Sequence, residues 1–320
     1  MQAVFSPMMR DLCRFSVSKG DSRSSGANQA DRRAIQGLVL ATAIAAGAAR
    51  MRALSLSGAA AATLVGAAVH AGMGTRGSVT MVTYFACTSA LGRLASAGPR
   101  FQRRGNQRDA VQVLANGGPA AALSLLRMRY PATSDDVIAL AFFGSLAAAA
   151  ADTAATEIGT RWGGQPRSIT TGRLVPAGES GAVTPAGLAA AVLASLALAV
   201  TSQAGTKDWE VRATACAAGG VAGALVDSLL GALLQEQRWC DTCCVRTELP
   251  VHVCGIRTCR ISGLPGVNND AVNTLAICAG SIATIACAGV LSKLTARNGS
   301  RVEYVTTLTS SRLPRDFGAP

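Results

Sequence analysis

The chain has 320 residues, 49% of them hydrophobic and only 15% charged, with a formal net charge of +12. Soluble proteins average about 25% charged residues, and the apolar residues here gather in blocks of membrane-spanning length, which disfavours a large soluble helical protein. A nucleic-acid binder of this charge would carry a dense basic patch interleaved with aromatics. Aromatics are only 4% here, and the arginines sit in loops between apolar blocks, so no nucleic-acid partner is expected.

Residues 1–36 are polar and hold Arg10, Arg14, Lys19, Arg23, Arg32 and Arg33 among many serines. They read as a disordered tail or as an organellar transit peptide, although Asp11, Asp21 and Asp31 are unusual in the latter. Residues 37–293 read as an all-α, polytopic membrane helix bundle of six to eight transmembrane helices. The candidate spans lie near 37–52, 54–74, 78–97, 109–127, 135–156, 183–203, 212–236 and 269–292. Ala, Gly and Ser dominate them, and small residues let helices approach closely in lipid. A polar loop occupies 157–182, a Cys-rich loop 237–267, and a mobile polar tail is expected over 294–320. Arg100, Arg103, Arg104 and Arg108 fill one loop, and Arg161, Arg167 and Arg173 another. That placement suits positive-inside topology, anionic headgroups or phosphate-bearing substrates. No internal repeat at a fixed period is evident.

Five motifs stand out along the bundle. Gln112 and Asn116 share a helix face, and Gly117-Gly118-Pro119 is expected to break or kink that helix. Asp152 and Glu157 follow the apolar run 137–151. A charge at membrane depth costs roughly 2.5–3.5 kcal/mol or more, so such residues are functional candidates. Arg167-Ser168-Ile169-Thr170-Thr171 opens a Gly/Ser-rich loop that ends at Thr184-Pro185, a good helix start. In that loop Arg167, Thr170 and Thr171 are candidate phosphate ligands. Gly219 and Gly223 form a small-residue face that Asp227 continues one turn on. Asn268-Asn269-Asp270 opens the last apolar run, with Asn273 inside it; capping accounts for one or two of these polar residues but not for Asn273.

Asp152, Glu157, Asp227 and Asp270 are therefore candidate catalytic residues and Mg²⁺ ligands, since Mg²⁺ takes one or two carboxylates plus substrate phosphates. Asn116, Asn269 and Asn273 are candidates for orienting metal or phosphate. An Arg pairing with Asp152 or Glu157 is the competing reading. In the Cys-rich loop, Cys240, Cys243, His252 and Cys254 offer four ligands for a tetrahedral Zn²⁺. Redox pairing or idle thiols remain alternatives, and Cys244 and Cys259 leave the ligand set open. Only two histidines occur and no Gly-x-Ser-x-Gly elbow, which argues against triad hydrolysis.

Taken in order, these motifs resemble one family, that of the plant and cyanobacterial phytyl-phosphate kinases, which also includes an animal transmembrane protein. The matching pieces are Gln112 to Gly118, Ala151-Asp152-Thr153 with Glu157-Ile158-Gly159, Ile169-Thr170-Thr171, Gly219-Gly220 with Asp227 to Gly231, and Asn269 to Asn273. Cys-x-x-Cys, Thr247-Glu248 and His252-x-Cys254-Gly255 look like the plant and cyanobacterial branch. The resemblance covers about residues 40–294. It implies an integral membrane kinase that converts an isoprenoid monophosphate to its diphosphate with a nucleoside triphosphate, CTP or another, and Mg²⁺. The product would feed tocopherol or phylloquinone synthesis, with the enzyme in the plastid envelope and associated with enzymes of prenyl-lipid synthesis. Glu179 and Ser180 depart from the Thr and Asn that the family pattern has there. A transporter or ion carrier built on intramembrane carboxylates is the second expectation.

Overall fold

A buried alanine-rich helix sits at the centre of the molecule and the other helices wrap it. The computed structural model describes residues 23–95, 107–130 and 137–310. The expected transit peptide up to residue 22 and the cluster Arg100, Arg103 and Arg104 lie outside the described residues. Seven helices and five short strands are described, in the order α1 (Arg23–Arg50), α2 (Leu56–Ala95), α3 (Ala110–Arg129), α4 (Val137–Trp162), β1 (Arg167–Ser168), β2 (Ala182–Val183), α5 (Pro185–Gln203), α6 (Trp209–Leu233), β3 (Gln237–Cys240), β4 (Val245–Thr247), β5 (Cys259–Ser262) and α7 (Asn269–Ser310). The fold is an all-α bundle, and five of its helices are long and apolar enough to cross a membrane.

Helix α4 is the core element. Every residue from Ala139 to Ala151 is buried, which identifies a helix covered on all sides. Phe142 and Phe143 meet edge to face at 5.1 Å beside Leu140, Leu146, Met73 and Leu198. Leucines and valines of α5 such as Leu188, Val192, Leu193 and Leu196 face outward, as lipid contact requires.

The 40-residue α2 is two helical arms joined at Gly74, whose φ of 66° only glycine adopts at ease. The arms fold back on each other. Arg93 Nη2 donates to the Met51 carbonyl at 2.8 Å, and His70 Nδ1 lies 2.9 Å from Ser78 Oγ. A straight helix would separate residues 51 and 93 by about 60 Å. The two spans expected over 54–74 and 78–97 are these arms. The seven helices therefore form eight helical segments, and the bundle they build has two ends.

The expected break at Gly117-Gly118-Pro119 is not found, and α3 runs through Pro119. Pro119 has no N–H for the Ala115 carbonyl. Thr274 Oγ1 of α7 lies 3.4 Å from that carbonyl, but its hydroxyl bonds more closely to the Asp270 carbonyl of its own helix at 2.9 Å, so α7 compensates only weakly for what the proline withholds. At the start of α3, Asp109 and Gln112 form a reciprocal capping box. Thr184 caps α5 through Gly187 N at 3.0 Å, with Pro185 in the first turn, as the sequence led us to expect.

Helix α7 continues past residue 294, where a mobile tail was expected, to Ser310, and α1 begins at Arg23 rather than at 37. No proline interrupts either stretch, so polar residues prolong helices already nucleated in the bundle. The loops at one end carry all the strands: β1 pairs with β2, and β4-β3-β5 form an antiparallel sheet from the Cys-rich loop.

Candidate functional site

Three helices approach one another through small residues. An added Cβ at Gly219 of α6 would lie 1.9 Å from Thr284 Oγ1 of α7, and one at Gly144 of α4 would lie 2.2 Å from the same atom. One turn on, a Cβ at Gly223 or at Gly280 would meet the Ala148 methyl at 2.6 Å. Residues four apart share a helix face, so Gly144-Ala148 leads to Asp152 on α4 and Gly219-Gly223 leads to Asp227 on α6. On α7 the face running back from Thr284 and Gly280 reaches Asn273. The ladders bring the backbones close, and their polar ends then meet.

Asp152, Asp227 and Asn273 line one tight recess, with no room for a water molecule as it stands, together with Ala148, Gly223, Ala276 and Ile277. The two carboxyls lie within hydrogen-bonding reach of each other. Asp227 Oδ1 is buried and makes no hydrogen bond. Two carboxylates this close require a proton or a cation between them, and oxygens from two acids and an amide suit a hard divalent ion. Asp227 is six residues from the end of α6, about 9 Å along its axis, and Asn273 lies near the start of α7. The site therefore sits just inside one face of the slab, below the strand-bearing loops.

The other two candidate acids flank this recess without lining it. Glu157, buried on α4, has its carboxyl against Gly92 of α2. Asp270, buried one turn before Asn273, is a neighbour of Glu248 in the Cys-rich loop. The Glu248 carboxyl is held above its ordinary range, chiefly by burial of its acidic end, opposed by hydrogen bonding to Ser180 and Gln235 and reinforced by Asp270. Ser180 Oγ donates to Glu248 Oε1 at 3.1 Å, and Arg246 pairs with Glu179 at 2.6 Å. Glu179 and Ser180, the two departures from the family pattern, are thus the contacts that join the Gly/Ser-rich loop to the Cys-rich loop. On the far side, buried Tyr84 of α2 lies beside Thr153 and Arg108 and faces Asp152.

Reasoning from the sequence did not single out Glu248 or Tyr84, and noted Gln235 only as lying two turns beyond Asp227. Glu248 stood in a matching motif and was the one with a usable signal. Several expected ligands lie elsewhere. Arg167 is exposed and donates to the Gly172 carbonyl of its own turn at 2.8 Å. Thr170 Oγ1 lies 3.0 Å from Ser168 Oγ, and Thr171 Oγ1 accepts from Arg173 N at 3.4 Å. These contacts shape a turn, which Gly181 anchors against Ser228 and Ala232 beyond Asp227. Asn116 Nδ2 donates to the Gln112 carbonyl at 3.0 Å. Asn269 is exposed, and its neighbour Asn268 caps α7 through Ala271 N at 3.0 Å.

A second cluster lies in the Cys-rich loop. The ligand atoms of Cys240, Cys243, His252 and Cys254 all fall within 4.8 Å of one another. Cys244 and Cys259 stand outside this group, which resolves the choice among the loop's cysteines.

The family model described as Integral membrane protein DUF92 matches residues 39–281. Protein PGR of Arabidopsis thaliana is 30% identical over 275 residues, covering 77% of this chain and 92% of the relative. Protein VTE6, chloroplastic, of Arabidopsis thaliana is 28% identical over 239 residues, 72% of this chain and 64% of the relative. The uncharacterized membrane protein sll0875 of Synechocystis is 32% identical over 143 residues, 43% of this chain and 55% of the relative. No solved structure matches.

Proposed function

The chain belongs to the DUF92 family of integral membrane proteins, and we propose from that premise that it is a membrane phosphotransferase acting on an isoprenoid monophosphate. The observation that carries this reading is the recess lined by Asp152, Asp227 and Asn273 at the ends of the packed helix faces. The phosphate would bind at this end of the bundle, and the apolar tail would lie along the small-residue helices. The resemblance to the phytyl-phosphate kinases and the 28% identity to VTE6 support a phytyl-type chain, a diphosphate product for tocopherol or phylloquinone synthesis and a plastid membrane.

Asp152 and Asp227, with Asn273, would hold Mg²⁺, which would supply positive charge against the charge that develops on the phosphates. An oxygen of the acceptor monophosphate attacks the γ-phosphorus of the donor. The bond to the β-phosphate oxygen breaks, and the nucleoside diphosphate leaves with that electron pair. The attacking group is already an oxyanion, so no strong base is needed and positioning does most of the work. Glu157 and Asp270 flank the recess, and Arg108, beside Tyr84, would offset phosphate charge.

The test offers phytyl and geranylgeranyl monophosphate to membranes carrying the protein, with each labelled nucleoside triphosphate and Mg²⁺. Diphosphate formation that is lost in Asp152→Asn supports the reading. Its absence with every donor, from folded protein, overturns it in favour of an ion carrier.

A further inference from the structure

We infer that Cys240, Cys243, His252 and Cys254 form a structural zinc site, and that its metal holds the Cys-rich loop as a roof over the carboxylate recess. The first part rests on geometry. Strand β3 delivers Cys240 at its end, and the turn Asp241–Cys244 brings Cys243 back toward it, with Cys244 in the left-handed region at φ 51°. A second turn delivers the other pair. His252 N donates to the Ile256 carbonyl at 2.9 Å, Gly255 N donates to the His252 carbonyl at 2.8 Å, and Gly255 has φ 83°. Cys240 Sγ stands 3.6 Å from Cys254 Sγ, which in turn lies 3.1 Å from His252 Nδ1. Four ligands about 2.3 Å from a tetrahedral ion stand about 3.8 Å apart, and three thiolates with one imidazole are a zinc donor set.

A second, independent observation is what the loop lacks. All four residues of β5 and two of the three in β4 are exposed. The buried side chains from 236 to 262 are Cys240, Thr247, His252 and Thr258, so two of the four are members of the cluster. A segment this small without an apolar core needs a covalent or metal staple to hold one conformation.

The consequence for the recess rests on the phosphotransferase reading. Glu248 lies just beyond β4, between the two ligand turns. The same loop carries Arg246 to Glu179 and Glu248 to Ser180, with Asp270 as a neighbour. Metal at the cluster fixes both turns, and through them the position of Glu248 and Arg246 above Asp227.

Full-length protein purified in detergent should contain one zinc per chain by elemental analysis. Exchange for Co²⁺ should give thiolate-to-cobalt charge transfer and the strong visible bands of a tetrahedral site. Cys243→Ser and Cys254→Ser should abolish both signals, whereas Cys244→Ser and Cys259→Ser should leave them unchanged. Asp152→Asn should also keep its zinc, so a failed kinase assay would not touch this result. Chelation of the wild-type protein should raise amide exchange across 237–262 without unfolding the bundle. Substoichiometric metal, an octahedral cobalt spectrum, or a Cys240–Cys254 disulfide in metal-free native protein would each overturn the site. Retained protection of 237–262 after chelation would overturn the roof.

Discussion

The carboxyls of Asp152 and Asp227, 75 residues apart in the chain, lie within hydrogen-bonding reach across a contact made of glycine and alanine. Each is isosteric with Asn. Asp152→Asn and Asp227→Asn should therefore fold normally and lose roughly 100-fold or more of diphosphate formation, the cost of removing a group aimed at reacting charge. Asn273→Ala should lose less than either carboxylate, because its amide oxygen would bring the ion no charge. Arg167→Ala, whose guanidinium is committed to its own turn, should change the rate less than any of these. Initial rates in detergent, with far-UV circular dichroism as the folding control, decide the order.

The approach of the helices can be tested by steric rescue. An added methyl at Gly144 meets only side-chain atoms of Thr284, whereas one at Gly219 also meets backbone at Gly280 O and Thr284 N. Gly144→Ala should destabilise by about 1–3 kcal/mol, and Thr284→Gly should restore much of that loss. Gly219→Ala should not be rescued by the same change. Thermal unfolding in detergent measures both cycles.

Pro119 and Thr274 should couple. Thr274→Val removes a hydroxyl shared between the Asp270 carbonyl, at 2.9 Å, and the Ala115 carbonyl, at 3.4 Å, and should cost about 0.5–1 kcal/mol, the scale of interhelical hydrogen bonds in membranes. In a Pro119→Ala background the restored N–H serves that carbonyl, and the cost should shrink. Equal costs in both backgrounds would mean that the contact carries no energy.

The neck of the Cys-rich loop has a pH dependence with a definite sign. Gly266 N donates to Glu236 Oε2 at 2.7 Å and Arg238 pairs with the other oxygen, and these contacts, with Arg260 nearby, hold the Glu236 carboxyl below its usual range. A depressed carboxylate contributes stability above its unfolded pKa of about 4.3 and loses it as pH falls through the folded value. Amide protection at 234–236 and 264–267 should be level from neutral pH to about 5 and fall below about 4. Glu236→Gln should lower protection at neutral pH and abolish the part of the acid loss that belongs to this group.

The membrane helix bundle, the helix start at Thr184 and the acids Asp152 and Asp227 were legible because they are local signals. Apolar length, capping residues and a charge in an apolar run are each read within a few turns of one helix. The four zinc-type ligands were legible by spacing, but the choice among six candidates was not. Cys244 closes the turn after Cys240 and Cys259 opens β5, and both fall outside the group of close ligand atoms.

The sequence by itself determined that this is a membrane helix bundle and which polar residues it carries at depth, because lipid tolerates no other arrangement of such segments. Only the tertiary structure decided which of those residues meet. Gly144-Ala148 on α4 pairs with Gly219-Gly223 on α6 and Gly280-Thr284 on α7, and that close packing selects Asp152, Asp227 and Asn273 for one recess while leaving Glu157 and Asp270 at its edges. It likewise set Thr274 of α7 beside the Ala115 carbonyl that Pro119 leaves without an N–H, more than 150 residues away in the chain. Contacts of that separation arise from how helix surfaces fit, and no periodicity within one helix encodes its partner.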